Sequence, residues 1–347
     1  MPEKDVTIAI LNWNGRSWLN KFLPSVCKNS GEAQVAVIDN ASSDDSVKVL
    51  EENFPDVHVV ALEKNYGFAG GYNKGLQALD TPYYVLLNSD VEVTENWLEP
   101  LLSFMEANPS VAACQPKILS YEYPEYFEYA GAAGGFVDKL GYPFCRGRIF
   151  DTLEKDTGQY DEPVRVFWTT GACMMVKADI YHNLGGLSDD FFAHMEEIDL
   201  CWRIQSTGKQ LFAVPQSTVY HVGGGSLPKS NPHKTFLNFR NNLAMIARNQ
   251  PSGQVFSTVL MRLLLDSLSG LSFLVKGRFG DFFAVIRAHW AFFAKIPQIK
   301  KWRKQKAGFS SLSELPGVYR KSIVKSYFLD KKHHFQQISH DINQLEL

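Results

Sequence analysis

No two of the five cysteines, Cys27, Cys114, Cys145, Cys173 and Cys201, are spaced as C-x-x-C, and their number is odd. A disulfide framework and a zinc site are therefore not expected, and a reducing compartment is. Net charge is also scarce: 35 basic against 37 acidic residues leave −2, which argues against nucleic acid as a partner held by bulk charge. A clean membrane span is not predicted. The longest stretch free of Asp, Glu, Lys and Arg, residues 210–228, holds Pro215, His221 and three glycines. The amino terminus reads MPEKD and enters a strand-like run, with no signal-peptide core. A G-x-G-x-x-G fingerprint is missing after the first apolar run, which ends instead in Asn12-Trp13-Asn14-Gly15 and so argues against a dinucleotide site. What is present is a globular composition: 347 residues, 45% hydrophobic and 13% aromatic, enough for one large domain or two ordinary ones.

Short β-branched runs at 6–12 (VTIAILN), 34–38 (QVAVI), 57–62 (VHVVAL) and 83–88 (YYVLLN) read as buried strands. Helical spacing separates them: Trp18, Leu19, Phe22, Leu23 and Val26 recur by three and four, a Ser/Asp-rich cap follows Asp39, and a helix is expected near 72–79. Alternation of this kind predicts an α/β protein with a doubly wound, mostly parallel sheet. Ligands of such sheets lie beyond the carboxyl ends of the strands. Asn12 and Asn14, Asp39 to Asp44, and Asn88-Ser89-Asp90 all fall there. A Gly-rich loop, Asn65-Tyr66-Gly67-Phe68-Ala69-Gly70-Gly71, lets backbone approach a ligand closely; an ordinary flexible turn is the alternative.

Asp90 ends a buried strand, where a carboxylate suits Mg²⁺ or Mn²⁺ sharing its shell with a diphosphate; a plain polar turn is the alternative. Asp39 can accept from a nucleobase N–H or ribose hydroxyl, or cap the next helix as an Asx turn. Residues 194–203 (HMEEIDLCWR) open a helix expected over 194–206. Glu196 and Glu197 point about 100° apart there, so only one can face a given cleft. Asp199 and Arg203 stand four apart and can pair. His221 follows a strand expected at 211–214 and precedes a glycine loop.

Residues 276–306 hold nine basic residues and one acid, +8 against −10 for the rest. Just before them, Thr258, Arg262, Asp266, Ser269, Ser272 and Lys276 form one polar stripe on an apolar helix, and 281–296 repeat the theme with aromatics. Two readings stand: a helical subdomain packed on the sheet, or an interfacial helix pair on an anionic membrane surface. Two regions are therefore expected, 1–234 carrying the sheet and a helical, basic 235–347.

Seven segments, taken in order, make the chain resemble the family 2 glycosyltransferases, especially the bacterial rhamnosyltransferase-like members. They are VTIAILNWNG (6–15), VAVIDNASSD (35–44), NYGFAGGYNKG (65–75), LLNSDVEV (86–93), WTTGACMMVK (168–177), GGLSDDFFAHMEEIDLCWR (185–203) and VYHVGGGS (219–226). The resemblance implies a GT-A fold and inverting transfer of a sugar from a nucleotide-diphosphate donor to a glycan or lipid-linked glycan, in cell-surface polysaccharide synthesis. It implies donor binding by Asn12, Asn14, Asp39, Asn65, Gly67, Gly71, Asn88, Ser89, Asp90 and Gly171, with Asp39 at the nucleobase. It implies Mg²⁺ or Mn²⁺ on Asp90, with His221 beside metal or diphosphate. Glu197 stands where the family's basic Asp would, with Asp199 in reserve, and Asn88 stands where the first Asp of D-x-D would. The expected location is cytoplasmic, peripheral on the inner membrane. The alternative class is a nucleotide-binding scaffold without turnover, since two family Asp positions are Asn88 and Glu197.

Overall fold

The computed structural model describes residues 5–223, 231–305 and 308–344. Gly224, Gly225 and Ser226 of the expected glycine loop, and Lys306 of the basic block, lie outside them. In chain order the elements are β1 (Val6–Asn12), α1 (Arg16–Asn29), β2 (Gln34–Asp39), α2 (Ser46–Asn53), β3 (His58–Ala61), α3 (Gly67–Gly75), β4 (Tyr83–Asn88) and β5 (Val91–Val93). Next come α4 (Leu98–Ala107), β6 (Val111–Ser120), β7 (Gly135–Asp138), β8 (Pro143–Cys145), β9 (Arg148–Ile149), β10 (Thr152–Leu153), β11 (Val164–Arg165) and β12 (Cys173–Lys177). The chain continues through α5 (Ala178–Asn183), α6 (Glu196–Gln205), β13 (Gln210–His221), α7 (Pro232–Asn249), α8 (Ser252–Val275), α9 (Phe279–Gln305), β14 (Val318–Tyr319) and α10 (Ile323–Phe328).

β1 is buried on both faces, as parallel strands covered by helices are, and so it shows no apolar–polar alternation. It pairs in parallel with β2 and β4, Asn12 opposite Asp39 and Leu11 opposite Asn88. The polar ends of three strands thereby meet at one carboxyl edge. α1 covers the sheet with Leu19, Phe22, Leu23 and Val26, one stripe of a 3.6-residue period. The whole sheet runs β11-β13-β6-β12-β4-β1-β2-β3, with β5 on β13. It is mixed: β12 lies antiparallel to β4, and β13 parallel to β6.

Two strands are longer than their sequence signal. β6 is buried through Gln115-Pro116-Lys117, which break its apolar run. β13 continues past Pro215 because its pairing with β6 shifts register between Val214 and Thr218, absorbing the proline in an irregularity.

The expected division at 234/235 does not separate two cores. Leu243, Met245 and Ile246 of α7 share one buried cluster with Phe167, Trp202 and Leu211. Nor is the carboxyl-terminal region helical throughout. Beyond α9 the chain returns as β14 and completes a second, small sheet, β10-β9-β8-β7-β14. Tyr319 and Phe335 close over Phe136 and Phe144.

The first half of the polar stripe of α8 faces inward, whereas Ser272 and Lys276 are exposed. Thr258, Arg262 and Asp266 are buried, and Arg262 donates to Leu140 O (3.2 Å), Asn242 and Asp266 (3.3 Å) while stacking on the Tyr142 ring. Tyr142 in turn donates to Asp266 at 2.8 Å. Arg262→Met is expected to destabilise the protein by about 3–5 kcal/mol, because it strands a buried carboxylate. A urea midpoint within experimental error of the parent would contradict this.

Candidate active site

At the carboxyl edge, Asn12 Nδ2 donates to Asp39 Oδ1 (3.1 Å) and Ser42 Oγ (3.1 Å), and Ser42 N–H donates to Asp39 Oδ2 (3.0 Å). Asp39 thus sits in an Asx turn with its carboxylate fixed. A carboxylate offers about four acceptor positions, so this arrangement leaves room for a ligand N–H. Asn14, exposed and at φ 51°, accepts from Ser43 and Asp44 and ties the first loop to the second. Asn65 Oδ1 accepts from Asn40 Nδ2 (3.0 Å) and Gly67 N–H (2.7 Å).

The glycine stretch is a helix here, not a loop. A side chain on Gly71 would stand 2.7 Å from Leu11 Cδ1 and 3.0 Å from Asn40 Nδ2, so this glycine serves close packing of α3 on the sheet. Gly67 has φ +73°, and a Cβ there would meet the Phe192 ring. Gly67 therefore marks where α3 touches the loop that leads to α6.

That loop is strained. Phe192, His194 and Met195 all have positive φ, which costs energy that the surrounding structure must hold. Asn241 of α7 supplies part of that hold, donating toward the carbonyls of Phe191, Ala193 and His194 at 2.8–3.0 Å. The loop delivers Glu197 to the first turn of α6. Its Cβ lies 3.9 Å from the position a Gly171 Cβ would occupy. Gly171 precedes β12, where Asn88 N–H donates to Ala172 O at 3.0 Å. Glu197 therefore stands at the same corner as Asn88-Ser89-Asp90. Burial pushes the Glu197 carboxyl up to about 7, against the backbone hydrogen bonds of the helix start. Its Oε2 has no hydrogen-bond partner among the described residues. Glu196 is more deeply buried, and burial and then the adjacent Glu197 charge raise it further.

Asp199 is not a reserve base. It is wholly buried on the opposite face of α6, accepting from Arg203 Nε (2.9 Å) and Asn249 Nδ2 (2.7 Å). Burial would raise its carboxyl, but Arg203 and Arg248 hold it below the usual range. It anchors α6 to α7.

Asp90 and His221 meet because β5 pairs with the end of β13, Val91 opposite His221. His221 Nε2 lies 3.2 Å from Asp90 Oδ1 and 3.4 Å from Asn88 Nδ2, and Nδ1 lies 3.3 Å from Glu128 Oε2. Burial lowers the imidazole, but the two carboxylates outweigh it and raise it to about 10. Glu128 is itself raised by burial and brought below its usual range by His221, the Ala130 N–H and Arg148.

These residues fit a divalent cation. Two ligands about 2.1 Å from an octahedral ion and at right angles are about 3 Å apart, close to the Asp90–His221 separation. Glu128 behind the imidazole is the outer carboxylate that metal-bound histidines generally carry. Among the described residues no three His, Cys, Asp or Glu side chains form a closed cage.

Sequence reasoning missed Glu128 and Asn241, and gave Asn40 no role of its own within the cluster at 39–44. Asn40 pins α3 through Asn65 and Gly67 O. Glu128 gives no local signal, being brought to His221 across 93 positions of chain. Asn241 could have been found, as part of a polar Arg240-Asn241-Asn242 triplet directly before the apolar run 243–247.

Residues 7–183 match the family described as Glycosyl transferase family 2, just over half of the chain. The chain is 29% identical over 231 residues to N-acetylgalactosaminyltransferase 4 of Drosophila melanogaster, covering 62% of this chain and 34% of that one. It is 21% identical over 253 residues to the N-acetylglucosaminyl-diphospho-decaprenol L-rhamnosyltransferase of Mycobacterium tuberculosis, covering 69% and 79%. The match thus spans about a third of the fly protein's length and about four fifths of the mycobacterial one's. Among solved structures, GalNAc-T7 with UDP, GalNAc and Mn²⁺ superposes with a TM-score of 0.55 at 20% identity, covering 71% of this chain and 48% of that one. The shared architecture is the GT-A fold.

Proposed function

Because the chain belongs to glycosyl transferase family 2, we propose that it transfers a sugar, with inversion, from a nucleotide-diphosphate donor to a hydroxyl of a glycan or lipid-linked glycan. The observation that carries this reading is the convergence at one corner of the sheet: the Asp90–His221 pair and a high-pKa Glu197 flank Asn88 and Gly171. The GalNAc-T7 complex with UDP and Mn²⁺ supports a nucleotide and a divalent cation at this fold. The name of the mycobacterial relative, which specifies a diphospho-decaprenol, supports a lipid-linked acceptor and a place in cell-surface polysaccharide synthesis.

Asp39, oriented by Asn12 and Ser42, accepts from the nucleobase. Asn14 and Asn65 hold the neighbouring loops in place. Asp90 and His221 Nε2 would hold Mg²⁺ or Mn²⁺, with Asn88 and Ser89 beside them. When bound, the cation would supply positive charge against the negative charge developing on the departing diphosphate. Ionised Glu197 takes the proton of the acceptor hydroxyl while its oxygen bonds to the anomeric carbon on the face opposite the breaking bond to the diphosphate. The nucleotide diphosphate leaves with that bond's electron pair.

A thermal-shift screen of nucleotide sugars with Mg²⁺ or Mn²⁺, followed by nucleotide release with and without acceptor, tests this. One donor class should stabilise the fold, by about 2.7 kcal/mol at a hundred times its Kd. The gain should vanish with EDTA, and acceptor should accelerate release. Binding without any release would favour the scaffold reading. No stabilising donor would overturn both.

Glu128 has its own expected effect. Glu128→Ala should weaken Mn²⁺ binding about 10–100-fold, measured by calorimetry, by freeing the imidazole ring. Glu128→Gln keeps an acceptor for Nδ1–H and should recover most of it. Equal affinity in all three proteins would contradict the positioning role.

A further inference from the structure

α8 and α9 form an inside-out hairpin. The polar Thr258, Arg262 and Asp266 of α8 are turned into the protein, and many large apolar residues of the two helices are turned out. Twelve of the seventeen exposed large hydrophobic residues among the described ones lie on these two helices. On α8 they recur every four residues, Phe256, Leu260, Leu264 and Leu268, and α9 adds Phe283 and Trp290, the last 73% exposed. The largest apolar patch of an ordinary monomer covers about 300–600 Å². Twelve such side chains, each about half exposed at roughly 100 Å², exceed that.

The charges of the hairpin are one-sided. Both of its acids, Asp266 and Asp281, are buried. Its exposed charges, Lys276, Arg278, Arg287, Lys300, Lys301 and Lys304, are all positive. Two copies joined through this face would oppose those charges, whereas anionic headgroups complement them.

We infer that the outer face of α8 and α9 beds into the surface of an anionic lipid bilayer. The helices lie in its plane and do not cross it. α8 is long and apolar enough to span, although Arg262 and Asp266 interrupt its apolar run. Yet those same residues bind Leu140, Asn242 and Tyr142 of the protein body, so one side of the helix is occupied along its middle. A helix half in protein and half in lipid has no reason for a polar outer face. Exposed Trp290 suits the headgroup layer.

The same hairpin touches the approach to the active site. Lys295 donates to Asp190 O (3.3 Å) and Gln298 to Asp190 Oδ1 (2.6 Å), on the segment that leads to Glu197. Delivery of a lipid-linked acceptor along the membrane rests on the proposed activity; the docking itself does not.

The test floats the full chain with phosphatidylcholine vesicles, with and without phosphatidylglycerol, in low and high salt. Flotation should require phosphatidylglycerol and fall with salt. Leu264→Glu with Leu268→Glu, with the thermal midpoint checked, should lower the partition coefficient about tenfold or more. Lys300→Glu with Lys301→Glu should cost about fivefold per lysine on anionic vesicles. Unchanged flotation of the Leu264/Leu268 variant overturns the inference. So does a parent that stays off vesicles, whether it remains monomeric or forms a dimer that this variant dissolves. A chain that floats but transfers no sugar retires the proposed activity and leaves this inference standing.

Discussion

Glu197→Gln is expected to lower kcat by about 10²–10⁴-fold while leaving donor affinity unchanged. The substitution keeps shape and removes only the capacity to accept a proton. Glu197 is placed for that task by the strained 192–195 loop and the first turn of α6. The wild-type rate should rise with pH through a limb near 7, because burial holds this carboxyl at about 7 and only its ionised form is a base. Stability should move the other way. The folded pKa lies above the model-peptide value of 4.5, so the fold holds the proton more tightly than the unfolded chain does. The wild type therefore loses stability as pH rises from about 4.5 to about 7. Glu197→Gln escapes this loss, so its thermal midpoint should exceed the parent's at pH 8 and not at pH 4. Near-parental kcat would remove Glu197 from the chemistry.

Asp90→Asn and His221→Ala are each expected to abolish the cation dependence of donor binding and to weaken it by about 10²-fold or more, beyond the about 10–100-fold of an outer-shell loss. Calorimetric titration of donor with and without Mn²⁺ reads this directly. Asp90 is held rigidly: its backbone carbonyl accepts from Val222 N–H at 3.1 Å, and its carboxylate meets the imidazole. Asp90→Asn leaves that frame intact and removes the charge, whereas His221→Ala also leaves Glu128 buried without its imidazole, so it should unfold at lower temperature. Donor affinity equal to the parent's, with and without EDTA, would contradict a cation role for this pair.

The carboxyl edge was legible from sequence because β1, β2 and β4 are buried on both faces and end abruptly in Asn12, Asp39 and Asn88. Runs of that kind leave few alternatives to a parallel sheet. The Gly-rich stretch was less legible, since glycine marks both a ligand loop and a close-packed helix, and only contact with Leu11 and Asn40 decides between them. β6 was hidden by Gln115-Pro116-Lys117, whose burial depends on neighbours distant in sequence. The second sheet was beyond local reading: its strands are two to four residues long, and β14 joins β7 across about 180 positions. Asp199 and Glu197 sit two apart on one helix, and no local pattern tells which faces α7 and which the cleft. The stripe of α8 was plain in the sequence; that only its first half faces the body followed from Tyr142 and Asn242.

Crystals grown with Mn²⁺ and a nucleotide sugar that passes the stability screen offer the most direct test, read by anomalous scattering at the manganese edge. The expected map places one ion bonded to Asp90 and His221 Nε2, with the anomeric carbon between it and Glu197. An ion elsewhere, or no ion at the Asp90–His221 pair with the donor bound, would contradict the assignment of this corner as the catalytic centre.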